Sequence, residues 1–463
     1  MGTTSITGIT SWPGAKIRII DRGEWTEEIW EPVPIAASAN GANAGTDPKA
    51  VWPTMGFDAY HGLAGELVDA LLPQTEADPV ALLMQCLVSF GNVVGRGPYV
   101  HRANADHHAN IYTFIVGRTS RSRKGTSGQN VRSVMENVDP TWAHNNVKSG
   151  ISSGEGIIEL VRDARFAIDK KTKKMECVDP GIDDKRLLLD EREFSSALAK
   201  MRGDTNIVSR ILREAWDGYP PILATRTKHN PSIATKPHIS VVGHITLDEM
   251  RQKFADLSIT DGFGNRFLYA CVDRSKLLPE GGEFDQSILT KLGTKMQRAV
   301  KMAQARARMI VADEAKPTWA EFYNKIETPS PDHDGLLGHL TARAAPQALR
   351  LSMIYALLDG GSRIMLPHVE AAIAVWQFCE ASARYIFATR TSDHTADEVI
   401  AAVESARPEG VSRTGFFNDT FGRHIKAHEL TRALKKLEAE GRIRCEKKIV
   451  IGAKRPTEFW FAV

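Results

Sequence analysis

The sequence predicts an α/β protein: a mostly parallel sheet with helices on its faces, helical segments on either side in the chain, and a separate C-terminal module. Three observations lead there. The apolar runs IYTFIV (111–116), RLLLDE (186–191), HISVVGHI (238–245) and RFLYACV (266–272) have the unbroken apolar character of strands buried on both faces. Helical patterns at 126–137, 153–164, 194–202 and 205–216 lie between them, the alternation expected of a parallel sheet. The last seventy residues read as three helices followed by two short basic strands.

Taken in order, residues 1–50 are expected to be a poorly ordered N-terminal segment, since EPVPIAASANGANAGTDPKA has the Ala, Gly, Asn and Pro content of a linker. Residues 51–104 form a helical N-terminal subdomain. Its second helix begins with Asp78 as N-cap and Pro79 at the first helical position. The sheet occupies 105–285, interrupted by DKKTKKMECVDPGIDDKR (169–186), a solvated hairpin or loop with DNA contact as its lesser reading. A helical subdomain spans 286–392, with Leu349, Met353, Ala356 and Leu357 on one core-facing stripe and Val369, Ile373, Trp376 and Ala383 on another. Residues 393–463 are expected to be a winged helix-turn-helix. Leu430, Leu434 and Leu437 face inward on its third helix and Arg432, Lys435 and Lys436 outward; the strand pair carries Lys447, Lys448, Lys454 and Arg455.

Composition narrows the class. A chain of 463 residues is long enough for two to four domains, and a net charge of +3 excludes a general polycation, so any nucleic-acid contact must be local. Five scattered cysteines show neither pairing nor metal-ligand spacing and fit a reducing interior, while HRANADHHAN reads as a solvated loop. No signal peptide or membrane-spanning run is visible, so a cytoplasmic protein without membrane attachment is expected.

The chemistry gathers around FIVGRTSRSRKGTSG (114–128). A phosphate loop reads G-x-x-x-x-G-K-[ST]: a strand delivers a tight turn, small residues let backbone N–H groups surround phosphate, and a Lys opens a helix. Here Gly117 follows the strand and Lys124 opens the helix. Arg123 takes the place of the second Gly, the loop is one residue longer, and Gly125 separates Lys124 from Thr126 and Ser127. The alternative is a Ser/Arg-rich surface turn. RLLLDERE supplies a second element, with Asp190 for a Mg²⁺ shell and Glu191 to orient water, or simply an acidic loop start. Ser152 and Glu155 match a capping box, yet Glu155 is also placed to activate water, so Glu155 and Glu191 are rival bases. His244 is either a γ-phosphate sensor at a strand tip or a hydrogen-bonded edge histidine. Arg266, in DGFGNRFLY, is either an arginine finger for a neighbouring subunit or the partner of a nearby carboxylate.

Together VGRTSRSRKGTS, SGISSGEGIIELVRD, LLLDEREFSSALAKMRGDTNIVSRILREAWDG and DGFGNRFLY resemble a P-loop domain family of phage, prophage and plasmid proteins, over roughly residues 55–390. The resemblance implies a RecA-like P-loop NTPase core of the replicative-helicase kind, whose loop commonly carries Arg-Lys where others carry Gly-Lys. It implies ATP and Mg²⁺ as cofactors. It assigns nucleotide contact to Gly117, Lys124 and Thr126, metal-side chemistry to Asp190 and Glu191, and catalytic roles to Glu155 and Arg266; the loop's own pattern adds Gly125 and Ser127, and the strand tip His244, as nucleotide contacts. Whether Thr126 or Ser127 faces the metal stays open. The motor reading further implies a homo-oligomer, a hexameric ring being one form, with single-stranded DNA in the motor and a separate primase, while the basic third helix and strand pair of the C-terminal module suit duplex DNA. The expected function is a DNA-dependent ATPase or helicase of a mobile element. The alternatives are a non-hydrolysing DNA-binding initiator or regulator, and an ATPase acting as helicase loader or defence protein.

Overall fold

The computed structural model describes residues 15–21, 26–32, 51–119, 121–168, 173–201, 207–218, 222–224, 231–253, 262–328, 335–387, 394–423, 425–448 and 456–463. The chain divides into two compact units, Met1–Thr46 and Asp47–Val463. Within the first, where the linker composition suggested little order, Ala15–Asp21 pairs antiparallel with Thr26–Pro32.

The second unit is a mixed α/β structure built on a five-stranded parallel sheet. Its strands are β1 (Tyr112–Gly117), β2 (Val147–Lys148), β3 (Arg186–Glu191), β4 (His238–Thr246) and β5 (Phe267–Val272), in the spatial order β5-β1-β4-β3-β2. Four of the five match the apolar runs in the sequence. Side chains alternate between faces, as the two-residue period of a strand requires. Ile115, Leu188 and Val242 belong to one core, and Phe114, Val116, Leu187, Leu189 and Val241 to the other.

On the first face lie α1 (Gly62–Leu71), α2 (Pro79–Val94) and α3 (Lys124–Met135). The second carries α4 (Gly154–Glu159), α5 (Phe194–Met201), α6 (Val208–Asp217) and α7 (Leu247–Lys253). Three later helices, α8 (Gln286–Gln304), α9 (Ala344–Leu358) and α10 (Leu366–Phe387), join the first core; the end of α10 reaches the second. The helices α1 and α2 from 51–104 and α8, α9 and most of α10 from 286–387 are thus layers over one sheet face and share one core. Asp78 caps α2 as expected, its Oδ1 accepting from Val80 N at 2.8 Å.

A second sheet, invisible in the sequence, joins Tyr99–Arg102, Ala105–His108, Arg308–Val311 and Arg363–Ile364. HRANADHHAN is therefore largely a strand pair rather than a loop, exposed over 101–106 as expected and buried from His108 onward. Of the 169–186 run, Met175–Asp179 pairs antiparallel with the preceding Arg165–Ile168, and both strands are mostly exposed.

At the C-terminus, α11 (His394–Ser405) and α12 (Ala427–Ala439) flank a short turn of helix at Arg413–Gly415. The strands β6 (Val411–Ser412), β7 (Ile443–Lys448) and β8 (Thr457–Ala462) form an antiparallel sheet in the order β6-β8-β7. Leu430, Leu434 and Leu437 are buried there with Val399, Phe416 and Trp460, in a core distinct from the other two.

Candidate functional site

In the central sheet the chain runs from β1 to the β2 edge, and later from β4 across β1 to β5. Connections that diverge in this way leave a crevice at the carboxyl ends of the strands, where open α/β sheets bind ligands. Gly117 ends β1 at that edge, opposite Thr246 and Val272. A Cβ on Gly117 would stand 2.7 Å from Lys124 Nζ and 2.9 Å from Ser122 Cβ, so the loop folds back only over a glycine.

The loop is tightly tied. Ser122 is buried; its Oγ accepts from Thr119 N at 3.2 Å and donates to Asp273 Oδ1 at 3.4 Å. Arg123 has φ +52°, the left-handed conformation a glycine would adopt without cost. Its side chain turns away from the loop, and Nε donates to Glu76 Oε2 at 2.6 Å. The Leu278 N–H, which donates to the Glu76 carboxylate, and then Arg123 hold that carboxyl below its usual range. Lys124 opens α3, and its Nζ donates to Thr119 O at 3.1 Å. Burial lowers the Lys124 ammonium from its ordinary range, opposed by Glu249 and Asp273 nearby.

The two hydroxyls after Lys124 are distinguished. Ser127 is fully buried and its Oγ donates to Lys124 O at 2.7 Å, whereas Thr126 is half-buried. A Cβ on Gly125 would meet nothing within 4 Å, so lack of space does not explain this glycine.

Asp190 and His244 come together on the neighbouring strands. Asp190 Oδ1 lies 3.2 Å from His244 Nε2, and its Oδ2 3.8 Å from where a Cβ on Gly128 of α3 would stand. Gln85 of α2 places its Nε2 3.2 Å from the same His244 nitrogen. His244 is buried and its Nδ1 has no hydrogen-bond partner. The start of α3, the acidic strand and the histidine strand therefore meet at one edge.

One expectation is corrected, and two residues with open readings are placed. The N-cap of α4 is Ser153, accepting from Gly156 N at 3.0 Å, so Ser152 and Glu155 form no capping box and Glu155 is exposed in the first turn. Glu191 is not freely presented: it is buried, and Oε1 accepts from Ile151 N at 2.6 Å, fastening the approach to α4 onto β3. Arg266 is also buried, donating to Asp217 Oδ2 at 2.6 Å and to Gly262 O. It precedes Phe267, which is level with Tyr112 at the start of β1. At about 3.3 Å per strand residue, Arg266 stands roughly 16 Å or more from Gly117 along the sheet. The carboxylate-paired reading of Arg266 describes what is found.

Several groups at the site escaped the sequence reading. Glu249 Oε2 accepts from Thr246 N (3.2 Å) and Oγ1 (2.8 Å), and Ser195 Oγ donates to Oε1 at 2.9 Å. The T-L-D-E spacing was a legible capping box. Glu76, Gln85 and Asp273 carried no local signal, because they reach the loop only through the fold.

Away from this edge, His61, Asp359 and His368 lie close enough to suggest a metal centre. His61 Nε2 and His368 Nε2 stand 2.9 and 3.1 Å from Asp359 Oδ2. Met365 N, however, donates to His368 Nδ1 at 3.0 Å, which puts the His368 proton on Nε2 and leaves that atom a donor rather than a ligand. The group is a hydrogen-bonded staple joining α1, α9 and α10. Burial pushes the Asp359 carboxyl up, but the bonds from His368 and His61 outweigh it and hold the group below its usual range.

Of the basic C-terminal residues, Arg432, Lys435, Lys447 and Lys448 are exposed and Lys436 is half-buried. Lys448 Nζ sits 4.2 Å from the Phe461 ring centroid. Lys454 and Arg455 lie outside the described residues. Among the described residues, no helix is long and apolar enough to cross a membrane. No protein-family model matches the chain, and no curated protein matches it.

Proposed function

We propose that the chain binds a nucleoside triphosphate at the carboxyl edge of the central sheet and hydrolyses it in work on DNA, as a helicase-like ATPase with a RecA-like P-loop core. The observation that carries this reading is the convergence of Lys124, Asp190 and His244 at one edge of adjacent parallel strands, where the connections diverge. In this reading Lys124 exchanges Thr119 O for phosphate oxygens, and the first N–H groups of α3 face the phosphate chain. Asp190 and Thr126 offer the hard oxygen donors that suit Mg²⁺, and Asp190 lies beside the first turns of α3. When bound, Mg²⁺ neutralises charge on the phosphates. Glu191 and Glu155 are the two carboxylates on the elements that flank the site, each able to orient water; Glu191 would do so through the oxygen not bonded to Ile151. His244, tied to Asp190, senses the terminal phosphate. ATP sits between subunits of a homo-oligomer, in a replication protein of a phage or plasmid. The C-terminal module acts as a winged helix that docks on duplex DNA through α12 and the β7–β8 strands.

A second reading is favoured by one observation. Gly125 follows Lys124 where a hydroxyl residue is usual, and Ser127 turns its own hydroxyl back into the helix. This suits nucleotide binding without efficient turnover, in a DNA-binding regulator. ATP hydrolysis by the purified protein, with and without single-stranded DNA, separates the two. The motor reading expects hydrolysis that rises with DNA and falls by about a hundredfold or more in Lys124→Ala. Absence of hydrolysis in the folded parent protein overturns it in favour of the regulator. Stimulation by a protein partner instead of DNA would point to a loader or defence ATPase.

A further inference from the structure

We infer that Trp52, Tyr385 and Arg118 form the seat of the nucleobase for the nucleotide held at the phosphate loop. The inference rests on the nucleotide reading above and adds to it a requirement for a flat aromatic base. Arg118 directly follows Gly117, and its guanidinium lies over the Trp52 ring at 4.4 Å from the centroid. The Arg118 side chain is 49% exposed, and its Nε is 3.6 Å from Asp273 Oδ2 beside the loop. Tyr385, in the last turn of α10, meets the Trp52 ring edge-on, with centroids 5.1 Å apart and an interplanar angle of 75°. Both rings are half-buried and pack against the second core, so they form a supported platform. Arg251 of α7 secures it, donating to Ile386 O at 2.9 Å and Tyr385 O at 3.1 Å.

Segments more than 250 residues apart in sequence thus bring two aromatic rings and a stacking guanidinium to the residue after Gly117. An indole face that holds a planar cation at stacking distance can hold a planar base in its place, and the displaced guanidinium can close over the base's other side. Stacking recognises the flat face rather than the hydrogen-bonding edge, so the seat favours a base as a class and purines for their larger area. Arg118 over Trp52 would contribute as surface packing without any ligand. That role alone gives no reason for the pair to adjoin the phosphate loop.

Calorimetric titration of the 463-residue chain with ATP and with inorganic tripolyphosphate, each with Mg²⁺, tests the assignment. The variants are Trp52→Ala, Tyr385→Ala and the conservative Trp52→Phe, each checked for native circular dichroism. The expected result is about a tenfold or greater loss of ATP affinity in Trp52→Ala, from the usual strength of base stacking. Tripolyphosphate affinity should be unchanged and Trp52→Phe should retain most ATP binding. If both ligands bind and neither alanine variant discriminates between them, the base lies elsewhere, while the phosphate-loop reading stands. Equal loss of both ligands in a folded Trp52→Ala protein would make the ring a support of the loop and overturn the base contact. Binding of neither ligand to the parent protein would remove the nucleotide reading itself.

Discussion

Arg123 stands where the phosphate-loop pattern has its second glycine, in a backbone conformation that glycine adopts without cost. It holds the left-handed conformation that costs a non-glycine residue about 1–2 kcal/mol, and its ion pair with the mostly buried Glu76 offsets part of that. Replacement by alanine keeps the strain and loses the pair, whereas glycine loses both. Arg123→Gly should therefore be more stable than Arg123→Ala by about 1 kcal/mol in urea unfolding. Asp78 offers a pH test. Burial raises its carboxyl to about 6, against opposing bonds from the backbone N–H groups of Asp273 and Val80. With a folded value above the unfolded one of about 4, its contribution is fully present below pH ~4 and lost as pH rises through ~6. The thermal midpoint should fall across that window, by an amount equivalent to at most about 3 kcal/mol, and the fall should shrink in Asp78→Asn.

Among the elements, α2 does more than cover the sheet. Asn92 is fully buried; its Nδ2 donates to Leu187 O at 3.0 Å and Ser240 Oγ at 3.2 Å, and its Oδ1 accepts from Trp142 Nε1 at 2.8 Å. One side chain thereby joins α2 to β3, β4 and the short helix Pro140–Asn145 that carries Trp142. Asn92→Ala should cost about 2–4 kcal/mol by leaving buried polar groups without partners, read as a lower urea midpoint with unchanged slope. Legibility in the sequence followed the same divide between local and long-range order. The strands β1, β3, β4 and β5 were visible because burial on both faces makes an unbroken apolar run. The two-residue β2 and the short strands of the second sheet were not: two to four residues are too few to show a period, and the pairing of Arg308–Val311 with Tyr99–Arg102 joins segments some 200 residues apart. Lys124, Asp190 and His244 were legible as strand-end chemistry. Arg266 stayed open between two readings, because local sequence does not say at which end of the sheet an arginine sits, nor that Asp217 waits there.

For the whole molecule, the first core unites residues from Ala59 to Cys379, while the C-terminal core is built from residues within 396–460 alone. The domain edges expected near 104 and 285 were drawn from composition, which records the helices but not the sheet face they share. The clasp between the two ends of the larger body has a consequence for biosynthesis. Tyr355 OH donates to Ala59 O, and His61 meets Asp359, contacts that span nearly 300 residues. On a ribosome adding about 5–20 residues per second, α1 and α2 emerge some 15–60 s before their partners on α9 and α10 exist. During that interval their apolar faces, among them Leu67, Val68, Leu83 and Leu87, have no native cover, which makes the nascent N-terminal half a natural client for a chaperone.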